Sequence, residues 1–433
     1  MTRFLLFMLF FVMFVADMLG LNLSLAPGLS IKNAFLYSIF LGIAIETALK
    51  RNRRLELLSV IVPYTLYFLY AAFTVVVVIL LVDYTGYRPL QSLISLKAGL
   101  ADNLLVLLVF YYGVLTPKNA MSLMKMIIWT VLVVNIITVV DALNIVDLGL
   151  IQARADGRIS GPVGESNQYA ALLALFLPPI LGLALVERGM LRKLALLGFA
   201  ASVLALLMTA SRGGVVGVFL GALAGAFFLR QFITGKNIVR AFVALLILSP
   251  IALGAMYFAG FGDLIYERFI EGSSGGSSWE VSSGRTAIWG GALSKMFDQP
   301  LSIITGFGWD AYRQAFVFKY APHNSYLKIF FELGAIGLLP ILLALANILR
   351  VARLALRQAE SNRAIMLLSF VFGFFGLLIA IFFVDIIKPW ILIWAFVGVM
   401  MRIANPITHS SVSGPKQLHR MASSRVRKVE RPI

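Results

Sequence analysis

The chain has 433 residues, 60% hydrophobic and only 13% charged, with no cysteine and a formal net charge of +17. A mean hydropathy of +0.91 excludes a soluble globular domain, and the missing cysteine excludes disulfide and thiolate chemistry. The basic residues lie in short stretches between apolar runs, so the charge speaks for membrane orientation and contact with anionic lipid and against nucleic acid.

Repeated apolar stretches of about 20 residues predict an all-α polytopic integral membrane protein. Twelve spans are expected, at roughly 4–23, 33–49, 57–82, 100–116, 121–142, 167–187, 193–210, 213–231, 239–260, 325–349, 364–384 and 388–405. The first, after Met1-Thr2-Arg3, is read as a retained helix, since no small-residue cleavage site follows it. Residues 90–99 (LQSLISLKAG) read as an amphipathic helix lying at the interface before the fourth span. Pro63, Pro178, Pro179, Pro250 and Pro340 fall inside spans, where neighbouring helices absorb the kink. The transmembrane domain covers 1–405 with a large loop at 261–324 between spans 9 and 10. Within that loop GSSGGSS (272–278) is a flexible stretch and RTAIWGGALSKMF (285–297) an amphipathic helix ended by Asp298-Gln299-Pro300. Residues 406–433 form a basic, disordered tail.

With the N-terminus in the cytoplasm, 24 of the 37 lysines and arginines fall inside and 13 outside, and every strongly basic short loop is inside. Both termini are then cytoplasmic. The segments 143–166, 209–213 and 261–324 share the opposite face, with Asp17, Glu46 and Asp102 as isolated acids near the membrane.

His323 is the only histidine in the hydrophobic body; His409 and His419 lie in the tail. An imidazole is the side chain best suited to move a proton near neutral pH. On the same face stand Arg212 in SRGG (211–214) and Arg285 in SGRTAIW (283–289). Two planar guanidinium forks can bind the oxygens of a diphosphate and stabilise its departure, while the histidine takes a proton from an attacking hydroxyl. Plain alternatives stay open for each. Arg212 could be an interfacial anchor that snorkels to water, Arg285 a solvated loop residue, and His323 a satisfied structural histidine. A fourth segment, RISGPVGESNQYA (158–170), gathers Arg158, Glu165, Ser166, Asn167 and Gln168 at a helix start, either as helix caps at Ser166 or Asn167 or as sugar recognition and bracing. Asn324 and Tyr326 beside His323 are candidates of the same kind. No HExxH, DxD-type pair, P-loop or dinucleotide fingerprint is present, so neither a metal site nor a cofactor is expected, although Asp263, Glu267 and Glu271 cluster at the start of the long loop.

The ordered set GRISGPVGESNQYA, TASRGG, SGRTAIW, GFGWDAY and APHNSYLKIFFELGAIGLLP, over residues 155–345, resembles the O-antigen ligase and Wzy polymerase family. The resemblance implies a metal-independent, inverting glycosyltransferase of the GT-C type in the bacterial inner membrane, working at the periplasmic face. It implies an undecaprenyl-diphosphate-linked glycan as donor. The acceptor would be the lipid A-core in lipopolysaccharide biosynthesis, or a second lipid-linked glycan in O-antigen or exopolysaccharide polymerisation. It assigns Arg212 and Arg285 to the diphosphate and His323 to the acceptor hydroxyl; Glu332, in the ELG turn, fits the pattern with packing as its alternative. The rival readings are a twelve-span secondary transporter or lipid-linked glycan flippase, and a receptor or scaffold. A transporter would carry two related halves and midplane binding groups, and no internal repeat is visible. A scaffold would not need the two arginines and the histidine.

Overall fold

The computed structural model describes residues 2–21, 23–49, 59–82, 84–114, 116–149, 157–232, 254, 257–267, 284–316, 318, 320–386 and 389–404. The architecture is an all-α membrane bundle. Seven helical segments are long and apolar enough to cross a bilayer, and three shorter apolar helices accompany them among the described residues. In chain order the bundle begins with α1 (Thr2–Met18), a two-stranded hairpin of β1 (Ser24–Ala26) and β2 (Leu29–Ser30), and α2 (Ile31–Leu49). Then come α3 (Ile61–Val77), prolonged by a π turn at Val78–Val82, α4 (Pro89–Leu96), α5 (Asp102–Tyr112) and α6 (Pro117–Ala142). They are followed by α7 (Ser166–Val186), α8 (Gly189–Met208), α9 (Arg212–Phe228) and the short α10 (Gly262–Ile265). After them stand α11 (Arg285–Asp298), α12 (Leu301–Thr305) and α13 (Ala311–Gln314), then α14 (Ser325–Leu356), α15 (Ser361–Ala380) and α16 (Trp390–Ala404).

Most spans fall where the apolar runs predict them, because a helix is the only open-chain way to satisfy backbone groups in hydrocarbon. Among the described residues the fourth differs. Residues 90–99 are not a separate interfacial helix: α4, a π turn at Lys97–Ala101 and α5 form one continuous segment, Pro89–Tyr112. Lys97 and Asp102 interrupt the apolar run but pair with each other at 2.9 Å, so the membrane helix carries them without an isolated charge. Asp102 is therefore not an isolated acid. It also accepts from Asn33 Nδ2 (2.8 Å) and the Tyr37 hydroxyl (2.6 Å), while Lys97 donates to Gly28 O (2.7 Å). Most of the expected ninth span, the GSSGGSS stretch and the tail from 406 lie outside the described residues.

Close packing of α9 on α15 depends on small residues. Gly213, Gly217, Gly221 and Gly225 recur every fourth position along α9, and a Cβ at any of them would strike α15 or the loop that follows it. One large hydrophobic cluster runs through the bundle. A second, smaller one joins the 285–316 segment to the start of α14, through Ala292, Met296, Phe307, Ala311, Tyr312, Leu327 and Phe331. The described part of the long loop is thus a folded layer seated on the bundle. The amphipathic helix expected at 285–297 is α11, which buries Ala292 and Met296.

The long helix α14 is broken, and not at Pro340. Gly334 has φ 58° and ψ −163°, which frees the carbonyls of the preceding turn. Two amides of the 306–308 turn take them: Phe307 N–H donates to Phe331 O (3.0 Å) and Gly308 N–H to Glu332 O (2.7 Å). Gly306 and Gly334 approach so closely that a Cβ on either would collide with the backbone of the other segment. This clip is anchored in turn on α3, where Tyr70 donates to Thr305 O (2.7 Å) and Thr74 Oγ1 accepts from Trp309 N–H (3.1 Å).

Candidate active site

Arg212 opens α9. The turn before it is sharp: Ala210 has φ 45°, and Ser211 caps the helix by accepting from Gly214 N–H (3.3 Å). A non-glycine residue in the left-handed region costs on the order of 1–3 kcal/mol and persists only where its surroundings fix it. Here they do. The Ser211 hydroxyl donates to Asn167 Oδ1 (3.0 Å), Asn167 donates to Glu165 Oε1 (3.1 Å), and Arg158 reaches both the turn and the asparagine. Its Nε donates to Thr209 O (2.7 Å) and its Nη2 to Asn167 Oδ1 (2.9 Å). Arg158 is buried, so it and Asn167 brace the arginine turn from within. The α7 cap is neither Ser166 nor Asn167 but Glu165, whose carboxylate accepts from Gln168 N–H (2.6 Å). Below this brace Tyr169 donates to Asn135 (2.9 Å), which donates to Ser202 (2.8 Å), joining α7, α6 and α8.

Arg285 opens α11, after Gly284 at φ 74°. One turn on, the Trp289 indole donates to Pro322 O (2.7 Å), the residue before His323, and its ring meets Phe382 edge to face at 5.3 Å. His323 itself has φ 47°, a second strained non-glycine residue at the candidate site. Asn324 caps α14 by accepting from Leu327 N–H (3.0 Å), and Tyr326 donates to Leu378 O (2.8 Å). Both are engaged in holding α14.

These segments meet on residues 381–386, the loop after α15. Ser325 N–H donates to Ile381 O (2.9 Å), the Ser325 hydroxyl donates to Val384 O (3.0 Å) and accepts from Ile386 N–H (3.2 Å), and Lys328 pairs with Asp385 (3.3 Å). Phe382 receives Trp289 from the Arg285 helix, and Phe383 lies against Gly213, the neighbour of Arg212. Arg212, Arg285 and His323 are each half-buried; Arg212 adjoins Gly213, which lies against Phe383, Arg285 is one helical turn from Trp289, and His323 follows Pro322, which Trp289 holds. Sequence reasoning did not single out Phe382, Phe383, Asp385 or Lys328. The two phenylalanines read there as the tail of an apolar span; an acid directly after it was the one signal left.

Both arginines occupy the first turn of a helix, where free N–H groups and the macrodipole already favour an anion. Beyond the membrane segments, burial raises the Asp310 carboxyl above the ordinary carboxylate value, although the Gln314 amide and Lys328 oppose it, and burial pushes the Tyr312 phenol up to about 12. Among the described residues no three acids and histidines group as ligands for a metal ion.

Compared with known protein families, residues 197–342 match the family described as O-antigen ligase, a stretch that contains Arg212, Arg285 and His323 and ends within α14. No curated protein matches the chain. That match supports a relation of this polytopic membrane protein to the O-antigen ligase and Wzy family of membrane glycan ligases and polymerases.

Proposed function

We propose that the protein moves a glycan from an undecaprenyl-diphosphate donor to an acceptor sugar hydroxyl at the periplasmic face of the bacterial inner membrane. The acceptor is the lipid A-core in a ligase and a second lipid-linked glycan in a polymerase. In this reading Arg212 and Arg285 bind the diphosphate, and their forks supply the charge stabilisation that a metal ion gives in other enzymes. His323 accepts the hydroxyl proton as the acceptor oxygen attacks the anomeric carbon. The bond from that carbon to the diphosphate breaks, the lipid diphosphate departs with the electron pair, and a single displacement inverts the anomeric centre. The observation that carries the reading is the meeting of the Arg212, Arg285 and His323 segments on residues 381–386, supported by the similarity of residues 197–342 to the O-antigen ligase family.

Replacing His323 with alanine in the native host tests it. The protein is expected to insert normally while glycan transfer falls on the order of 10²–10⁴-fold, the usual worth of a general base. Long lipid-linked chains would then accumulate if the protein is a ligase, and single repeat units if it is a polymerase. Normal surface glycan overturns the proposal. Arg212→Lys and Arg285→Lys are expected to be impaired as well, since a point charge does not replace a planar fork.

A further inference from the structure

The proposed chemistry does not use Lys328, which follows His323 by five residues. Lys328 lies on the second turn of α14, with a side chain only 19% exposed. Its ammonium stands 3.3 Å from Asp385 Oδ2 and is attracted also by the carboxyl groups of Glu332 and Asp310. These three acids come from three segments. Asp385 belongs to the loop after α15. Glu332 precedes the break in α14, is 1% exposed and accepts from the Asp310 backbone N–H. Asp310 follows the clip that fixes that break, at φ 66°, and its side chain accepts from Gln314 (2.6 Å). Lys328 therefore faces three acids, one of which, Asp310, also feels Arg313, at the point where the clip, the His323 end of α14 and the 381–386 loop come together.

We infer that Lys328 is a positioning residue, whose charge holds the 381–386 loop against the start of α14 and so sets the spacing between His323 and the two arginine turns. The inference rests on the function proposed above for its consequence, though not for its geometry. Without the ammonium, Asp385 loses its ion-pair partner beside the buried Glu332, while Asp310 keeps Arg313 and Gln314, and this drives the Asp385 loop towards water. Phe383 would then leave Gly213, and Phe382 would leave Trp289.

The absence of cysteine allows a direct test. Phe383→Cys is made in the full chain, and its rate of alkylation by a maleimide is measured in the purified protein with Lys328, with Lys328→Met and with Lys328→Arg. Lys328→Met is expected to raise the rate at least tenfold; Lys328→Arg, which keeps the charge, is expected to leave it within about threefold. In parallel, the Lys328 variants without the cysteine are introduced into the native host. Lys328→Met is expected to lower surface glycan at least tenfold at equal membrane insertion, and Lys328→Arg to restore at least half of it. An alkylation rate unchanged by Lys328→Met overturns the inference. So does a raised rate with normal surface glycan, or Lys328→Arg behaving as Lys328→Met in both assays. Should the glycan chemistry itself be wrong, His323→Ala would leave surface glycan unchanged while the alkylation rates still separated the Lys328 variants.

Discussion

Two lysines set into membrane helices, Lys97 and Lys328, stand in opposite electrostatic surroundings. Lys97 meets one carboxylate, Asp102, and that carboxylate takes hydrogen bonds from the lysine, Asn33 and Tyr37. Lys328 meets three acids, and Glu332 Oε1 has no hydrogen-bond partner among the described residues. The first arrangement is balanced in charge and well supplied with donors, and it ties the hairpin and α2 to the fourth span. The second carries surplus acid, and it borders the candidate active site. A fold satisfies buried polar groups where it only needs to hold together, and leaves an imbalance standing where the surroundings do other work.

Three changes break or sharpen this contrast. The largest effect is expected from Asp102→Ala, which leaves Lys97, Asn33 and Tyr37 without their shared acceptor. Thermal unfolding in detergent should show a loss of about 2–3 kcal/mol, below the full cost of breaking a buried pair because Lys97 is 31% exposed. Next comes Asn324→Ala, which removes the cap of α14 above Lys328 and should cost about 1 kcal/mol. If glycan transfer falls more steeply than that loss of stability explains, the turn bearing His323 depends on the cap for its geometry. The smallest is the pH response of Asp310. Its folded carboxyl binds a proton more tightly than an ordinary one, so this group contributes stability fully below about pH 4 and loses the contribution as pH rises through the folded value. Asp310→Asn should flatten that part of the profile. A melting temperature followed from pH 4 to 8 checks it, and identical slopes in both proteins would remove Asp310 from the contrast.

The spans at 121–142, 167–187, 193–210 and 364–384 were legible because an all-round apolar run needs no partner to specify it. The continuous fourth span was not legible. Lys97 and Asp102 look incompatible with hydrocarbon until Asn33 and Tyr37 arrive from α2, and periodicity carries no record of that meeting. Arg212, Arg285 and His323 could be picked out by residue type and by motif order. Their supports were harder to see. Arg158 and Asn167 were candidates for sugar contact or for bracing, and only the folded chain shows their hydrogen bonds to the Arg212 turn, while Glu165 caps a helix in place of the more usual serine or asparagine beside it. Lys328 and Asp385 are 57 positions apart in sequence and lie on either side of a helix pair, so only the folded chain makes them neighbours.

The break at Gly334 divides α14 into unequal parts. About 22 residues follow it, roughly 33 Å of helix and enough by themselves to cross about 30 Å of hydrocarbon. The turns before it are not needed for anchorage. A helix interrupted in this way passes little torque along its axis, so the membrane part can tilt to suit a thicker or thinner bilayer without turning the end that bears His323. The clip at 306–308 then sets the heading of that end, and the lipid does not.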